Sequence, residues 1–291
     1  MTASAAVRNV TDVAAAPGPA TRRCHRRPRP IGHTGAMSVA PARRSSCAVV
    51  VLVALLVLAA SATTGCSFFD KKIDVLYIGD SIMNQTGPFA EAYLVDQPGV
   101  GSAKTRVEGI NGTGLLTPKL VDWQAKAKQL VDTYQPKVVV TLFIGNYTDT
   151  DLWTGADGQP VPNDYGDRFF QEWGAQAEKL TATLSAKGAK VDWVLPPPLA
   201  GDEGGRREAG MRKTYEDLKG RVPAVELVDA RLALGGPNGE WVWRRPGVDG
   251  GEVTVRQGDS VHLTEDGGRL MARQIAQQAG PQLQAIRAAQ T

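Results

Sequence analysis

From residue 73 onward, short apolar runs alternate with longer segments whose apolar positions recur every three or four residues. The short runs predict buried strands and the longer segments predict amphipathic helices. The predicted strands are residues 73–79, 104–108, 137–144, 189–195 and 224–228. The predicted helices are residues 88–95, 121–134, 167–187, 207–221 and 265–289. This alternation implies an α/β domain in which a parallel sheet lies between two helical layers, a three-layer α/β/α sandwich.

Two shorter segments ahead of the last helix, residues 240–245 and 252–256, predict a hairpin. Residues 145–166 form a long loop rich in Gly, Asp and Pro. No internal repeat and no linker interrupts residues 73–289, and this length suffices for one domain with a full core.

The first 65 residues have a different pattern. Residues 1–36 are rich in Ala, Pro and Arg without apolar periodicity, which predicts a disordered basic extension or a start assigned upstream of the true initiator, Met37. Residues 37–65 have the form of a signal peptide, with Arg43 and Arg44 ahead of an apolar stretch over residues 48–60. That stretch of 13 residues is shorter than a membrane span, which needs about 20 residues.

Two cleavage positions are open. Ala60-Ser61-Ala62 fits ordinary signal removal. Thr63-Thr64-Gly65-Cys66 resembles the box of bacterial lipoproteins, in which the cysteine is lipidated and becomes the N-terminus, although Thr63 stands where that box usually has leucine. We favour the second, which predicts a lipidated Cys66, a spacer over residues 66–72 and attachment to the outer face of the cytoplasmic membrane.

Charge and cysteine usage agree with export. The chain has 33 basic and 30 acidic residues, but residues 1–65 hold eight arginines and one aspartate. The remaining chain has 25 basic and 29 acidic residues, so the basic character belongs to the removed segment and nucleic acid is not an expected partner. The cysteines are Cys24, Cys47 and Cys66, so cleavage at Cys66 leaves no other thiol for a disulfide or a metal.

Candidate catalytic residues follow the strands. His262 is the only histidine after residue 66, and Asp259 precedes it by three positions. Ser81, Gly112 and Asn146 follow the first, second and third predicted strands. Because the carboxyl ends of parallel strands meet at one edge of a sheet, we expect these residues to converge there. A serine, a histidine and an aspartate in one place indicate nucleophilic catalysis.

The chain resembles the SGNH (GDSL-type) hydrolase family, whose markers Ser, Gly, Asn and His each lie in a separate block. Gly79-Asp80-Ser81 matches the first block, 109–112 resembles the second, 144–146 the third, and 259–262 fits the D-x-x-H block. The third block departs from the usual Gly-x-Asn-Asp. The resemblance implies a five-stranded, flavodoxin-like parallel sheet.

The resemblance also implies roles for these residues. Ser81 would be the nucleophile, His262 the base and Asp259 the residue that orients the histidine. The N–H groups of Ser81 and Gly112 and the amide of Asn146 would form the oxyanion hole. Asp80 is expected to be a structural hydrogen-bonding residue.

Four aromatic residues are candidates for contact with a sugar ring. Tyr147 and Trp153 are assigned to a substrate rim, whereas ordinary packing is favoured for Trp241 and Trp243, which alternate along a short strand. Asp149, Asp151 and Asp157 suggest a calcium loop, but Trp153 stands where an oxygen ligand is needed, so no metal site is expected. No cofactor is expected either.

These observations predict an exported serine esterase of the cell envelope. Its substrates would be carboxylic esters, with short acyl or O-acetyl groups on small molecules or envelope carbohydrate favoured. Two alternatives remain open: an O-acyltransferase on envelope glycans, and a non-catalytic scaffold that binds glycan or protein. The oligomeric state is not predicted.

Overall fold

The structure is a computed structural model that describes residues 71–150 and 152–290. The predicted basic extension, the signal peptide, Asp151 and the lipidated Cys66 lie outside the described residues. In the part of the chain that the structure describes, no helix combines the length and apolar character needed to cross a membrane.

Five parallel strands form the central sheet, in the order β2-β1-β3-β4-β5. They are β1 (Val75–Gly79), β2 (Thr105–Gly109), β3 (Val138–Leu142), β4 (Lys190–Leu195) and β5 (Val225–Asp229). Strands β1 and β3 are buried along their whole length, as expected for apolar runs covered on both faces. The predicted fold class, a five-stranded parallel α/β/α sandwich, is confirmed.

Six helices accompany the described sheet. They are α1 (Ser81–Val95), α2 (Trp123–Tyr134), α3 (Asp167–Ser185), α4 (Gly201–Arg221), α5 (Arg231–Leu234) and α6 (Glu265–Ala288). One face of the sheet packs against α2, α3 and α4 in a core rich in aromatic residues. The other face packs against α1, α5 and α6 in a core of aliphatic residues. Each face therefore has its own apolar core, as a three-layer fold requires.

Helix starts differ most from the sequence prediction. Helix α1 begins at Ser81 rather than residue 88, because the Asp80 carboxylate caps it by accepting from the Ile82 N–H at 2.9 Å. Helix α4 begins at Gly201 rather than residue 207, through a glycine-rich first half of low helix propensity. The short helix α5 was not predicted. The predicted hairpin is present, with shorter strands β6 (Arg244–Pro246) and β7 (Glu252–Thr254).

One carboxyl group is buried inside the sheet's aliphatic face. Asp192 of β4 is completely buried, and its Oδ1 accepts from the Gln282 side chain of α6 at 2.8 Å. Among the described residues, its Oδ2 and the nearby Tyr77 hydroxyl have no hydrogen-bond partner. Burial raises the pKa of Asp192 to about 7. The ionised form is therefore disfavoured in the folded protein.

We predict that Asp192→Asn stabilises the protein at pH 8 by about 1–3 kcal/mol, because the amide carries no charge into the core. The folded-state pKa of Asp192 is raised from its ordinary value of 3.8. Wild type therefore gains stability from this group as pH falls through 7, and the advantage of the variant shrinks towards pH 4. Urea unfolding between pH 8 and pH 5 measures the difference.

The exposed Asp132 provides the control, because its pKa is lowered to about 2 by hydrogen bonds from Lys128 and Lys187. Asp132→Asn should give no stabilisation above pH 7. An Asp192→Asn protein that is no more stable than wild type at pH 8 would contradict the charge-burial account.

Candidate active site

Ser81 is placed by the tight junction of β1 and α1. Gly79 ends the strand, and a Cβ there would lie 2.1 Å from the Leu142 carbonyl oxygen of β3, so only glycine fits this close approach. Asp80 then caps the helix, and Ser81 is its first residue. The backbone N–H of a first helical residue has no partner within its own helix. Ser81 therefore presents both a hydroxyl and an unused backbone donor at the carboxyl edge of the sheet.

The structure brings the three predicted catalytic side chains together. The Ser81 Oγ lies 2.9 Å from the Nε2 of His262, although the residues are 181 positions apart. The other ring nitrogen, Nδ1, lies 2.5 Å from the Oδ2 of Asp259. The Asp259 Oδ1 accepts from the backbone N–H of His262 at 2.9 Å. A serine, a histidine and an aspartate thus form one chain of hydrogen bonds.

Asp259 is ionised at neutral pH. Hydrogen bonds from the His262 ring and from the His262 backbone N–H lower the pKa of Asp259 to about 2. A carboxylate at Nδ1 holds the histidine proton on that nitrogen and leaves Nε2 free to accept the serine proton. The arrangement can therefore activate Ser81 as a nucleophile.

The second block contains Gly112, whose backbone N–H is the predicted oxyanion donor. Gly112 adopts φ +73°, a left-handed conformation that favours glycine. A Cβ at Gly112 would meet nothing within 4 Å, so its backbone conformation rather than close packing explains the glycine. The loop is fixed to α1 because the Asn84 amide donates to the Asn111 side chain at 3.1 Å.

Asn146 joins the first and third blocks to Thr113, the residue that directly follows the second block. Its Nδ2 donates to the Asp80 Oδ2 at 3.2 Å and to the Thr113 carbonyl at 3.3 Å. Both amide hydrogens are thus engaged in this structure. The three blocks meet at one point, while the role of Asn146 in an oxyanion hole stays a prediction.

Asp80 lies beneath this meeting point. It is completely buried and accepts from the backbone N–H of Ile144 at 2.8 Å as well as from Ile82 and Asn146. Burial raises the pKa of Asp80 to about 6, against the opposing effect of the two backbone donors and of the Arg207 and His262 charges. These contacts tie the end of β1 to the end of β3, which agrees with a structural role.

The backbone of the histidine loop, residues 260–263, is held by hydrogen bonds at four successive carbonyls. The acceptors and donors are Ser260 O with Trp241 Nε1 (3.0 Å), Val261 O with Arg256 Nη1 (3.2 Å), His262 O with Gln257 N (2.8 Å) and Leu263 O with Gln257 Nε2 (2.6 Å). Arg256 is 1% exposed, and burial lowers its pKa to about 10. The loop that presents His262 therefore has little freedom to move.

Gln85 connects this loop to the nucleophile helix. It lies one helical turn after Ser81, and its Oε1 accepts from the Leu263 N–H at 2.8 Å. A Cβ on Gly268 of α6 would lie 2.5 Å from the Gln85 carbonyl oxygen, so the two helices touch at this level. Gln85 thus fixes the position of His262 relative to Ser81. Its position one helical turn after Ser81 could have marked Gln85 as a positioning residue from the sequence alone.

We predict that Gln85→Ala slows reaction of Ser81 with a fluorophosphonate about tenfold, because the Ser81–His262 distance is no longer fixed. Gln85→Glu keeps an oxygen acceptor and should retain most of the rate. Gln97, which lies beyond the end of α1 and packs on Gly280 of α6, provides the control. Equal labelling rates for wild type, Gln85→Ala and Gln97→Ala would exclude this role.

The structure contradicts the assignment of Tyr147 to a substrate rim. Tyr147 is 6% exposed, packs against Phe169, and its hydroxyl donates to the Val161 carbonyl at 2.8 Å and accepts from the Trp153 N–H. It is a core residue that fixes the long loop. Trp153 is half-buried beside a cavity of 140 Å³ whose lining includes none of the four marker residues, and its rim role stays a prediction.

No group of three or more His, Cys, Asp or Glu side chains in the described residues is arranged to hold a metal ion. Both carboxylate oxygens of Asp157 accept hydrogen bonds from Arg168.

The role of Trp241, Arg256 and Gln257 in holding the histidine loop was not predicted from the sequence. Only the side-chain conformations show it, because no pattern of spacing distinguishes such donors from other polar residues.

The sheet order and the Ser81–His262–Asp259 arrangement are those expected from the resemblance to the SGNH hydrolases. The chain belongs to the family described as "Protein of unknown function (DUF459)", which matches residues 74–278. No curated protein matches the chain.

Several solved structures resemble it at low identity. A GDSL-like lipase from Bacteroides thetaiotaomicron is 14% identical with a TM-score of 0.46, covering 78% of this chain and 97% of that one. A catalytic mutant of the acetylxylan esterase Axe2 from Geobacillus stearothermophilus is 16% identical with a TM-score of 0.48, covering 72% and 94%. The esterase EstA from Pseudoalteromonas is 15% identical with a TM-score of 0.45, covering 70% and 94%.

Proposed function

We propose that this protein is a serine esterase that cleaves carboxylic esters through an acyl-enzyme. The observation that carries the proposal is the continuous hydrogen-bonded chain from the Ser81 hydroxyl through the His262 ring to the Asp259 carboxylate. A hydroxyl becomes a useful nucleophile only when a base is placed to take its proton, and here the base is in contact with it.

In the first half of the reaction, the Ser81 Oγ attacks the ester carbonyl carbon and its proton moves to the Nε2 of His262. The tetrahedral intermediate collapses, the bond to the alcohol oxygen breaks, and His262 returns the proton to that oxygen. In the second half, water loses a proton to His262 and attacks the acyl-Ser81 carbonyl. The second tetrahedral intermediate collapses, the bond to the Ser81 Oγ breaks, and His262 returns the proton to that oxygen as the acid is released. Asp259 stabilises the imidazolium that forms twice in each cycle.

Negative charge on the carbonyl oxygen needs donors that are already in place. The backbone N–H groups of Ser81 and Gly112 have no other acceptor among the described residues and suit this role. The Asn146 amide would serve as the third donor by exchanging its long 3.3 Å bond to the Thr113 carbonyl for the oxyanion. Each such donor is worth about 10²–10³ in rate.

Short acyl groups suit the described surface better than long ones. Its exposed large hydrophobic side chains are Leu120, Leu152, Leu232 and Trp243, which lie in four separate segments. A long acyl chain needs a continuous apolar surface to leave water. We therefore propose acetyl or other short acyl groups, carried by small molecules or by carbohydrate of the cell envelope.

The test is fluorophosphonate labelling and turnover of p-nitrophenyl acetate by wild type, Ser81→Ala and His262→Ala. Labelling and turnover should be lost in Ser81→Ala, and turnover should fall by at least about 10³ in His262→Ala. Thr183→Ala serves as control, since this exposed hydroxyl bonds only within its own helix.

Folded wild-type protein that is not labelled would contradict the proposal and favour the non-catalytic scaffold. Addition of sugar acceptors to the turnover assay distinguishes the acyltransferase, in which ester product replaces free acid.

We also propose that the protein is exported and anchored by lipid on Cys66. Stable attachment follows from several acyl chains rather than one. Cys66→Ala should abolish incorporation of radiolabelled palmitate and move the protein out of the membrane fraction, whereas Cys47→Ala should change neither. Wild type that incorporates no palmitate and is released as soluble protein would support cleavage after Ala62 instead.

A further inference from the structure

An aromatic pair lies against the loop that presents the catalytic histidine. The ring centroids of Trp241 and Trp243 are 5.0 Å apart, and the rings meet edge to face at 75°. Trp243 is 42% exposed, whereas Trp241 is half-buried. Among the described residues, Trp243 is the single aromatic side chain in the set of large exposed hydrophobic residues. The sequence pattern predicted ordinary packing for both residues, and Trp243 is more exposed than that prediction implies.

The pair is rigidly joined to the catalytic loop. The Trp241 indole N–H donates to the Ser260 carbonyl at 3.0 Å, two residues before His262. The Trp243 carbonyl accepts from the Val255 N–H at 2.9 Å, one residue before the buried Arg256 that holds Val261. An exposed indole held in this way loses little entropy when a ligand covers it.

The chemistry of the proposed reaction assigns this side of the site to the alcohol part of the ester. His262 returns its proton to the alcohol oxygen, so that oxygen must lie beside His262 when the bond breaks. The oxyanion donors of Ser81 and Gly112 belong to other segments, the start of α1 and the loop after β2. Surface that adjoins the histidine loop is therefore where the rest of the alcohol extends.

We propose that Trp243 is a subsite for a sugar ring of an O-acylated carbohydrate, bound through the alcohol side of the ester. This inference rests on the proposed esterase function. The flat indole matches the C–H face of a pyranose ring. The next residue, Arg244, forms an exposed ion pair with Glu252 of β7, so charged hydrogen-bonding groups belong to the same hairpin. An exposed apolar plane on a polar hairpin suits a sugar better than an alkyl alcohol.

The first experiment compares two acetyl esters that differ only in their alcohol: acetylated xylo-oligosaccharides and ethyl acetate. Trp243→Ala should lower the ratio of kcat/KM for the oligosaccharide to kcat/KM for ethyl acetate about tenfold, mainly through KM. Trp243→Phe keeps a flat apolar ring and should retain most of the ratio. Leu120→Ala removes another exposed apolar side chain, 61% exposed and distant in sequence, and should leave the ratio unchanged.

A second experiment is independent of turnover. Calorimetry on Ser81→Ala measures the binding of acetylated xylo-oligosaccharides, and the added Trp243→Ala change should weaken it about tenfold. If wild type turns over no ester while the oligosaccharides still bind in a Trp243-dependent way, the esterase function is contradicted and the sugar subsite is supported. Unchanged binding and an unchanged ratio in Trp243→Ala would overturn the subsite. Wild type that cleaves ethyl acetate but neither binds nor cleaves the oligosaccharides would overturn it as well.

Discussion

Helix α1 carries Ser81 in its first turn, and helix α6 begins three residues after His262, so the packing of these helices sets the distance between the two side chains. A glycine makes the contact close. A Cβ on Gly268 of α6 would lie 2.5 Å from the Gln85 carbonyl oxygen of α1. Because close-packed interiors resist small displacements, this contact keeps the Ser81–His262 hydrogen bond near one length.

Two carboxyl groups of the candidate site, Asp259 and Asp80, have opposite electrostatic environments. Asp259 is exposed, bonded to the His262 ring, and has a pKa lowered to about 2. Asp80 is completely buried, and its pKa is raised to about 6. The first is suited to stabilising a positive histidine, whereas the second holds backbone in place. The same residue type therefore serves chemistry or architecture according to burial and partner.

The strands and the marker residues were predictable because buried strands are continuous apolar runs and each marker follows one of them. The burial of Tyr147 and the start of α1 were not predictable in this way. Whether an aromatic side chain after a strand turns inward depends on neighbours such as Phe169, which are distant in sequence. The start of α1 depends on a side-chain cap by Asp80 directly after a strand, where the proline at 88 is the more visible signal. The donors that hold the histidine loop depend on tertiary packing alone.

The order of the site residues along the chain has a consequence for the timing of reactivity. The nucleophile belongs to the first helix of the domain, while its base precedes the last helix, α6. During synthesis, Ser81 leaves the ribosome long before His262, and until α6 docks it remains an ordinary alcohol with no base at hand. The hydroxyl acquires its partner only once the C-terminal segment has folded against α1. Reactivity is thereby confined to the finished protein, and an incomplete or unfolded chain carries no active serine.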